Sequence, residues 1–378
     1  MIVDHLFVEA ETEAIVSTLQ RWKREWPSMA VLAMLPEAEK SYVPQLQADC
    51  SSLNVNLHGA IFPALLDATG FIEKGVLLVC LGYAPGAFLL EDILQDGAVR
   101  MRAEIEILMR KVPTVDGSRG TLFTIFDAML PNIGTLLDDT HGGLAKTPRY
   151  IGINAGSETF LPMPCLFNNT RLVQNGVMGL YFPRAMKWAV HHAYEQSESQ
   201  LRATSTTGNR ITTIDDRPAF VVYQEIIWEH YAVRLTRENF YDYAVHFPFG
   251  LVTAVDILVR IPVGLGEDDA IFCVGEIAPN SMLRVLKAPA LDDCTCAHDI
   301  GTAMYSGSTE TPAFSFLTFY CAGRRMHFGA DAVTEITQIH ATLSHSRVFG
   351  ALSLGEIDTL EYLDHPRFHN AAVVCIAS

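Results

Sequence analysis

Short uncharged apolar runs alternate with amphipathic stretches along the whole chain, and the two periodicities separate strands from helices. AVLAML (30–35), GVLLVCLGY (75–83) and TLFTIF (121–126) predict strands buried on both faces. Leu53, Val55 and Leu57 alternate with Asn54, Asn56 and His58, which predicts a half-buried strand ahead of Gly59. Residues 11–26 place Ile15, Leu19, Trp22 and Trp26 at helical spacing. Residues 87–112 read as one helix weakened near Gly97, and Asn132 to Asp139 as another.

ATSTTGNRITTI (203–214) predicts a hairpin, because threonine-rich arms flank Gly208-Asn209. Asp215-Asp216 then reads as the cap of a helix that carries Pro218 in its first turn and runs to about Tyr231. Thr236 is placed to cap the next helix, RENFYDYAV. DILVRIPV reads as a strand, AIFCVGEI and SMLRVLKA as a pair around Pro279-Asn280, and FSFLTFYCAGR as a buried strand. DAVTEITQIHATLS predicts a helix with Val333, Ile336, Ile339 and Leu343 facing inward.

The tail, Arg347 to Ile357 and then Phe368 to Ile376, reads as a strand, a turn at Gly355-Glu356, a loop and a closing apolar strand. Glu356, His369 and Asn370 stand against apolar strands, so each needs a partner.

Several of these segments resemble one another. RYIGINAGSETF matches NLHGAIFPALL, and NGVMGLYF matches KGVLLVCLGY; AIFCVGEIAPNSMLRVL and the tail are looser echoes. Four such units predict a pseudo-repeated architecture of strand, glycine turn and strand. Strands and helices alternate throughout, so the expected class is α/β or α+β with layered mixed sheets. A chain of 378 residues exceeds one ordinary core. The turn near residue 215 divides it into two regions, 1–215 and 216–378.

Composition narrows the function. Apolar residues make up 49% and charged residues 19%, which favours large cores over disorder. A net charge of −16 argues against nucleic acid or an anionic membrane surface as partner. Eight cysteines show no disulfide spacing, and Cys80, Cys273, Cys321 and Cys375 lie in apolar runs. Reduced thiols in a cytoplasmic protein follow. The N-terminus lacks a basic leader, and the longest apolar run, broken by Pro85 and Gly86, is shorter than the ~20 residues a membrane span needs.

The familiar catalytic signatures are absent. There is no phosphate-binding glycine loop, no nucleophile elbow and no zinc-protease helix. Cys294-Thr-Cys296-Ala-His298 lacks a second ligand pair at zinc spacing and reads as a loop. Cys321 precedes Arg324-Arg325, which could favour thiolate, but its apolar context reads as a structural thiol. Among 13 histidines, His192, His246 and His58 stand out, each with a structural reading as the default. His246 leads as a candidate iron ligand because Tyr243, Phe247 and Phe249 supply an apolar wall. Arg324, Glu356 and Asn370 are expected to converge, with Glu356 and Arg324 either paired or meeting a ligand.

Five segments in order resemble the FIST family of intracellular signal-transduction proteins, across nearly the whole chain. NLHGAIFPALL with GVLLVCLGY, and RYIGINAGSETF with GVMGLYF, resemble the strand pairs of its N-terminal region. AVHHAY with TTGNRITTIDDRPAFVVY resembles the junction, and HFPFGLV with ILVRIP the start of the C-terminal region. FYCAGR with GALSLGEI and FHNAAV resembles its ending. The chain departs at Gly59-Ala-Ile-Phe-Pro63, where a Gly-Cys-Ser/Thr-Thr turn is common, and at His192-Ala193-Tyr194, where His-Gly-Trp is common.

The resemblance implies a stand-alone sensor and not an enzyme. It implies a small ligand and a partner signalling protein, and His192, His246, Arg324, Glu356, Asn370 and His58 are the residues expected to bind that ligand. For the NosP branch of the family it implies haem b held by His246, His192 or His58, nitric oxide as the signal and a histidine kinase as partner. An enzyme using Cys321 or a histidine is the remaining alternative.

Overall fold

The computed structural model describes residues 1–114, 119–254, 256–306, 315–343, 346–360 and 364–377. Among the described residues, four mixed or antiparallel sheets are layered with helices, as the alternating pattern predicts. Three of the sheets have six strands and share one plan. The chain runs strand, helix, strand, helix, strand, short hairpin, strand, and then begins again.

In the first unit the strands are Ile2–Val8, Ala30–Pro36, Asn56–Phe62 and Val76–Leu81, with the hairpin Leu65–Asp67 and Gly70–Ile72. The second uses Gly86–Leu90, Thr121–Asp127, Arg149–Ala155 and Val177–Phe182, with the hairpin Leu166–Asn168 and Leu172–Val173. The third uses Lys187–His191, Ser315–Cys321, Arg347–Ser353 and Val373–Ala377, with the hairpin Glu356–Thr359 and Pro366–His369. In each sheet the two middle strands are parallel and the first and last strands of the unit pair antiparallel.

Each unit gives its hairpin away. The first unit's hairpin extends the third sheet, the second unit's extends the first, and the third unit's extends the second. The exchange closes a cycle, so strands from both sides of residue 215 share sheets. Phe62, Phe123 and Phe319, one from each sheet, meet in a common core, with Phe319 centred 6.1 Å from each of the other two rings.

The resemblance among segments thus reflects three units and not four. Ile271–Cys273 and Met282–Lys287, read as a fourth echo and as a pair, do not pair with each other. They belong to the fourth, nine-stranded sheet, inserted after the first strand of the third unit. That sheet also holds the predicted hairpin, Leu201–Thr207 with Arg210–Ile214, and is covered by the helix Ala219–Tyr231.

Local expectations differ at several places, among them the helix capped by Asn239 and not Thr236, which spans only Phe240–Ala244. Gly86–Leu90 is a strand and the helix starts only at Gly97, because the apolar AFLL run satisfies a sheet edge. Leu53 to Val55 form a turn, with Asn54 at φ 50°, and not a strand. Asp215 and Asp216, at φ 48° and 61°, close a hairpin; Pro218 and not an aspartate precedes the helix. Val333 is exposed, and Glu335 takes the buried place on its helix. Glu356 starts a strand that crosses to another sheet instead of turning back. Phe314 and Ser344, the ends of two predicted elements, lie outside the described residues.

Gly59 is mid-strand, not in a turn, and Gly152 and Gly350 occupy the same fourth position of their seven-residue strands. A Cβ at these positions would lie 2.9, 2.5 and 1.8 Å from the carbonyl oxygens of Ala33, Thr124 and Thr318 on the parallel neighbour. The repeated glycine is a close-approach requirement. Gly350→Ala should therefore cost at least about 3 kcal/mol in urea unfolding. Gly142→Ala, whose Cβ would meet nothing within 4 Å, should change stability by less than about 0.5 kcal/mol. Equal midpoints for the two variants would contradict this reading.

Candidate ligand cleft and its buried hub

Arg324 is fully buried in the short helix Ala322–Phe328, directly after the strand Ser315–Cys321. A buried guanidinium needs a counter-charge and an acceptor for each fork. Glu335, from the helix Ala332–Thr342, takes Nε at 2.7 Å and Nη2 at 2.5 Å. Nη1 donates to the carbonyls of His192 at 2.5 Å and Ala371 at 3.3 Å. Nη2 also reaches Cys294 Sγ at 2.9 Å, and Tyr320 donates to Glu335. Burial pushes the Glu335 carboxyl up, but Arg324 outweighs it and the net shift is downward. The pairing anticipated for Arg324 with Glu356 is made with Glu335 instead.

The turn at Asn370, Ala371 and Ala372 is where the tail's polar groups meet. Arg324 holds the Ala371 carbonyl, and the Ala371 N–H donates to Cys321 Sγ at 3.1 Å. The Ala372 N–H donates to Glu356, whose other oxygen accepts from Ser353 at 2.5 Å. Asn370 Nδ2 donates to the His369 carbonyl at 3.0 Å, and its Oδ1 faces the Ile261 N–H at 3.5 Å. Arg324, Glu356 and Asn370 thus act on one turn. Burial, and then Glu356, push the Cys321 thiol well up, which works against a thiolate at this position.

A cavity of about 460 Å³ opens beside this hub. Arg149 and Trp188 form one wall, with the guanidinium 4.1 Å from the indole ring. His191 and His192 continue from the end of the strand Lys187–His191. Asp256, Asp358, Arg367 and His369 form the opposite side. Arg367 clamps Asp358 through Nε and Nη2 at 3.0 and 2.7 Å and reaches Asp256 through Nη1. Burial raises the Asp358 carboxyl, but His369 and Arg367 prevail and hold it below its ordinary range.

Two imidazoles in this cleft have defined hydrogen-bonding needs. His192 Nδ1 accepts the Tyr194 N–H at 3.0 Å, which leaves Nε2 to carry the proton as a donor. Burial, and next the neighbouring His369, lower its pKa to about 4, so it is neutral near pH 7. His369 is 2% exposed, and neither ring nitrogen makes a hydrogen bond. Its Nε2 faces Asp358 at 3.4 Å, an electrostatic contact only.

The other two candidates lie apart. His246 Nδ1 and His327 Nδ1 are 2.7 Å apart, and His327 Nε2 meets the Pro289 carbonyl at 2.8 Å. With His327 Nε2–H donating to that carbonyl, His246 donates through Nδ1 and keeps a lone pair on Nε2. That lone pair suits iron. The apolar slot haem requires is not there: the cleft lined by the neighbouring Val245 and Met326 holds only about 30 Å³, room for a water or two. The residues present do not fit the macrocycle. His58 pairs in the first sheet between Leu32 and Asn168, and burial lowers its pKa to about 4.

Sequence reasoning singled out His192 and noted the unmet need of His369. It missed Trp188, Asp256, Asp358 and Arg367. The one signal available was the alternation of His365, Arg367 and His369 with apolar residues. Among the described residues, no cluster of three or more His, Cys, Asp or Glu could hold a metal, and no helix is long and apolar enough to cross a membrane.

A cleft that joins residues far apart in sequence, with polar groups awaiting partners, defines a ligand-binding protein. Residues 31–217 match the FIST N domain and residues 219–358 match the FIST C domain. The chain belongs to the FIST family, whose domains are sensory signal-transduction modules that bind small ligands. No curated protein matches it.

Glu356 gives this region a pH signature. Burial raises its carboxyl from 4.5 to about 7. Between those values the folded state binds more protons than the unfolded state, so stability falls as pH rises from about 4.5 to about 7. Glu356→Gln should remove that decline. The variant should gain most on wild type above pH 7 in urea titrations, and parallel pH profiles would contradict the assignment.

Proposed function

We propose that this chain is a sensory protein that binds one small ligand in the cleft between Trp188, His192, Asp256 and His369. It relays occupancy to a partner, a histidine kinase or another signalling protein. The observation that carries this is the buried imidazole of His369, whose Nδ1 has no partner and whose Nε2 has only the 3.4 Å contact with Asp358. An orphaned polar group costs about 1–3 kcal/mol, which a ligand's hydrogen bond would recover. The cleft volume falls within the range of small-molecule sites. Its walls come from both proposed regions, 1–215 and 216–378, so a ligand would bridge them. His192 Nε2–H supplies a donor, His369 Nδ1 a further polar contact, and Trp188 an aromatic surface.

The relay runs through the backbone. The His192 side chain faces the cleft while its carbonyl is held by Arg324. A ligand that shifts His192 changes what Arg324 can hold, and through Glu335 it reaches the helix Ala332–Thr342. Free cysteines throughout the chain accord with a cytoplasmic location.

Native mass spectrometry of the purified protein should reveal a co-purifying small molecule. His369→Ala and His192→Ala should each lower its retention about tenfold or more while leaving circular dichroism unchanged. Retention unaffected in both variants would remove the cleft as the site.

The second reading is haem on the Nε2 lone pair of His246, which would require the small neighbouring cleft to open. Protein produced with haem available should then show a Soret band that shifts with nitric oxide. The band should be lost in His246→Ala and kept in His230→Ala. Absence of haem uptake by wild type ends this reading and leaves the first intact.

A further inference from the structure

The hub also contains a thiol that neither the fold nor ligand sensing requires. Cys294 is partly exposed, whereas the other seven cysteines are buried, and all eight are free. Its Sγ sits between a cation and a base. Arg324 Nη2 lies 2.9 Å away, and Glu335 Oε1, within reach of the thiol proton, lies 3.0 Å away. Cys296 starts the helix Cys296–Tyr305, and its Sγ donates to the His191 carbonyl at 3.5 Å. A single residue, Thr295 at the helix N-cap, separates the two.

We propose that Cys294 is a modification site, a nucleophile for small hydroperoxides, with Cys296 as the thiol that resolves it to a disulfide. Cys294 Sγ attacks one peroxide oxygen; an S–O bond forms, the O–O bond breaks, and the electron pair leaves on the distal oxygen. The Cys294 proton, passed through Glu335, completes that leaving group as water or an alcohol. The Cys296 thiol then attacks the sulfenic sulfur. The S–S bond forms, the S–O bond breaks, and the Cys296 proton leaves with the hydroxyl as water. Two thiols give up the two electrons the peroxide accepts.

The division of labour between the cysteines follows from their surroundings. The neighbouring Cys296 thiol, and then Arg324, outweigh burial and hold the Cys294 thiol below its ordinary range, while Cys294 and burial push Cys296 well up. Arginine at hydrogen-bond distance from sulfur is the arrangement that stabilises a thiolate. Oxidation withdraws Cys294 from Arg324, the residue that also holds the His192 carbonyl. The modification therefore acts on the hub directly and stands whether or not the neighbouring cleft binds a ligand.

The test treats the full-length folded protein with one equivalent of hydrogen peroxide and maps every cysteine by mass spectrometry after alkylation. Cys294 and Cys296 should form a disulfide first, with the other six still reduced. The rate should be at least about tenfold above that of free cysteine at the same pH. In Cys296→Ser, circular dichroism should be unchanged and dimedone should trap a sulfenic acid at Cys294. Oxidation of another cysteine first, or a Cys294 rate equal to that of free cysteine, would overturn the proposal. In Cys296→Ser, failure of dimedone to label Cys294 would do the same.

Discussion

One buried ion pair holds the third unit together. Arg324 and Glu335 are both excluded from solvent, and desolvating two charges costs several kcal/mol each unless every fork finds a partner. Here they do: the Arg324 guanidinium is shared among Glu335, the His192 and Ala371 carbonyls and Cys294. Those partners come from a helix, from the end of the unit's first strand, from the turn before its last strand and from a loop beyond the inserted sheet. Loss of Glu335 would leave the guanidinium without its counter-charge in the core. Arg324 therefore fixes the relative positions of segments that no local propensity would bring together.

The cyclic exchange of hairpins explains why the cleft forms where it does. The third unit lends Glu356–Thr359 and Pro366–His369 to the second sheet while its own first strand, Lys187–His191, stays in the third. The seam between those sheets is the cleft. Its contents come from both sheets, Trp188 from the third and Arg149, Asp358, Arg367 and His369 from the second. A seam of this kind can respond to a ligand, since small displacements of one packed sheet against another change many contacts together.

Much of the fold was legible because its strands are unbroken apolar runs. Val76–Leu81, Thr121–Asp127 and Ser315–Cys321 sit where the pattern puts them, and so do the hairpin around Gly208 and the helix from Ala219 to Tyr231. The failures share a cause. AFLLEDILQ fits a helix as well as a strand edge, and only pairing with Val177–Phe182 decides the matter. Gly59 looks like a turn until the carbonyl of Ala33 is seen against it. The partners of Arg324 could not be read, because apolar spacing points Val333, Ile336, Ile339 and Leu343 inward and does not single out Glu335, which occupies the inner face. His192 and His369 could be noticed one by one. Their convergence depends on the hairpin exchange, a long-range feature that no local spacing encodes.

The central claim is that a small molecule completes the polar groups of the seam. A crystal structure of the protein as purified, with its co-purifying molecule retained, tests this most directly. The account predicts density for a small molecule in the cleft, within hydrogen-bond reach of His369 Nδ1 and His192 Nε2 and against Trp188. A retained molecule bound elsewhere, with only solvent beside His369, would contradict it.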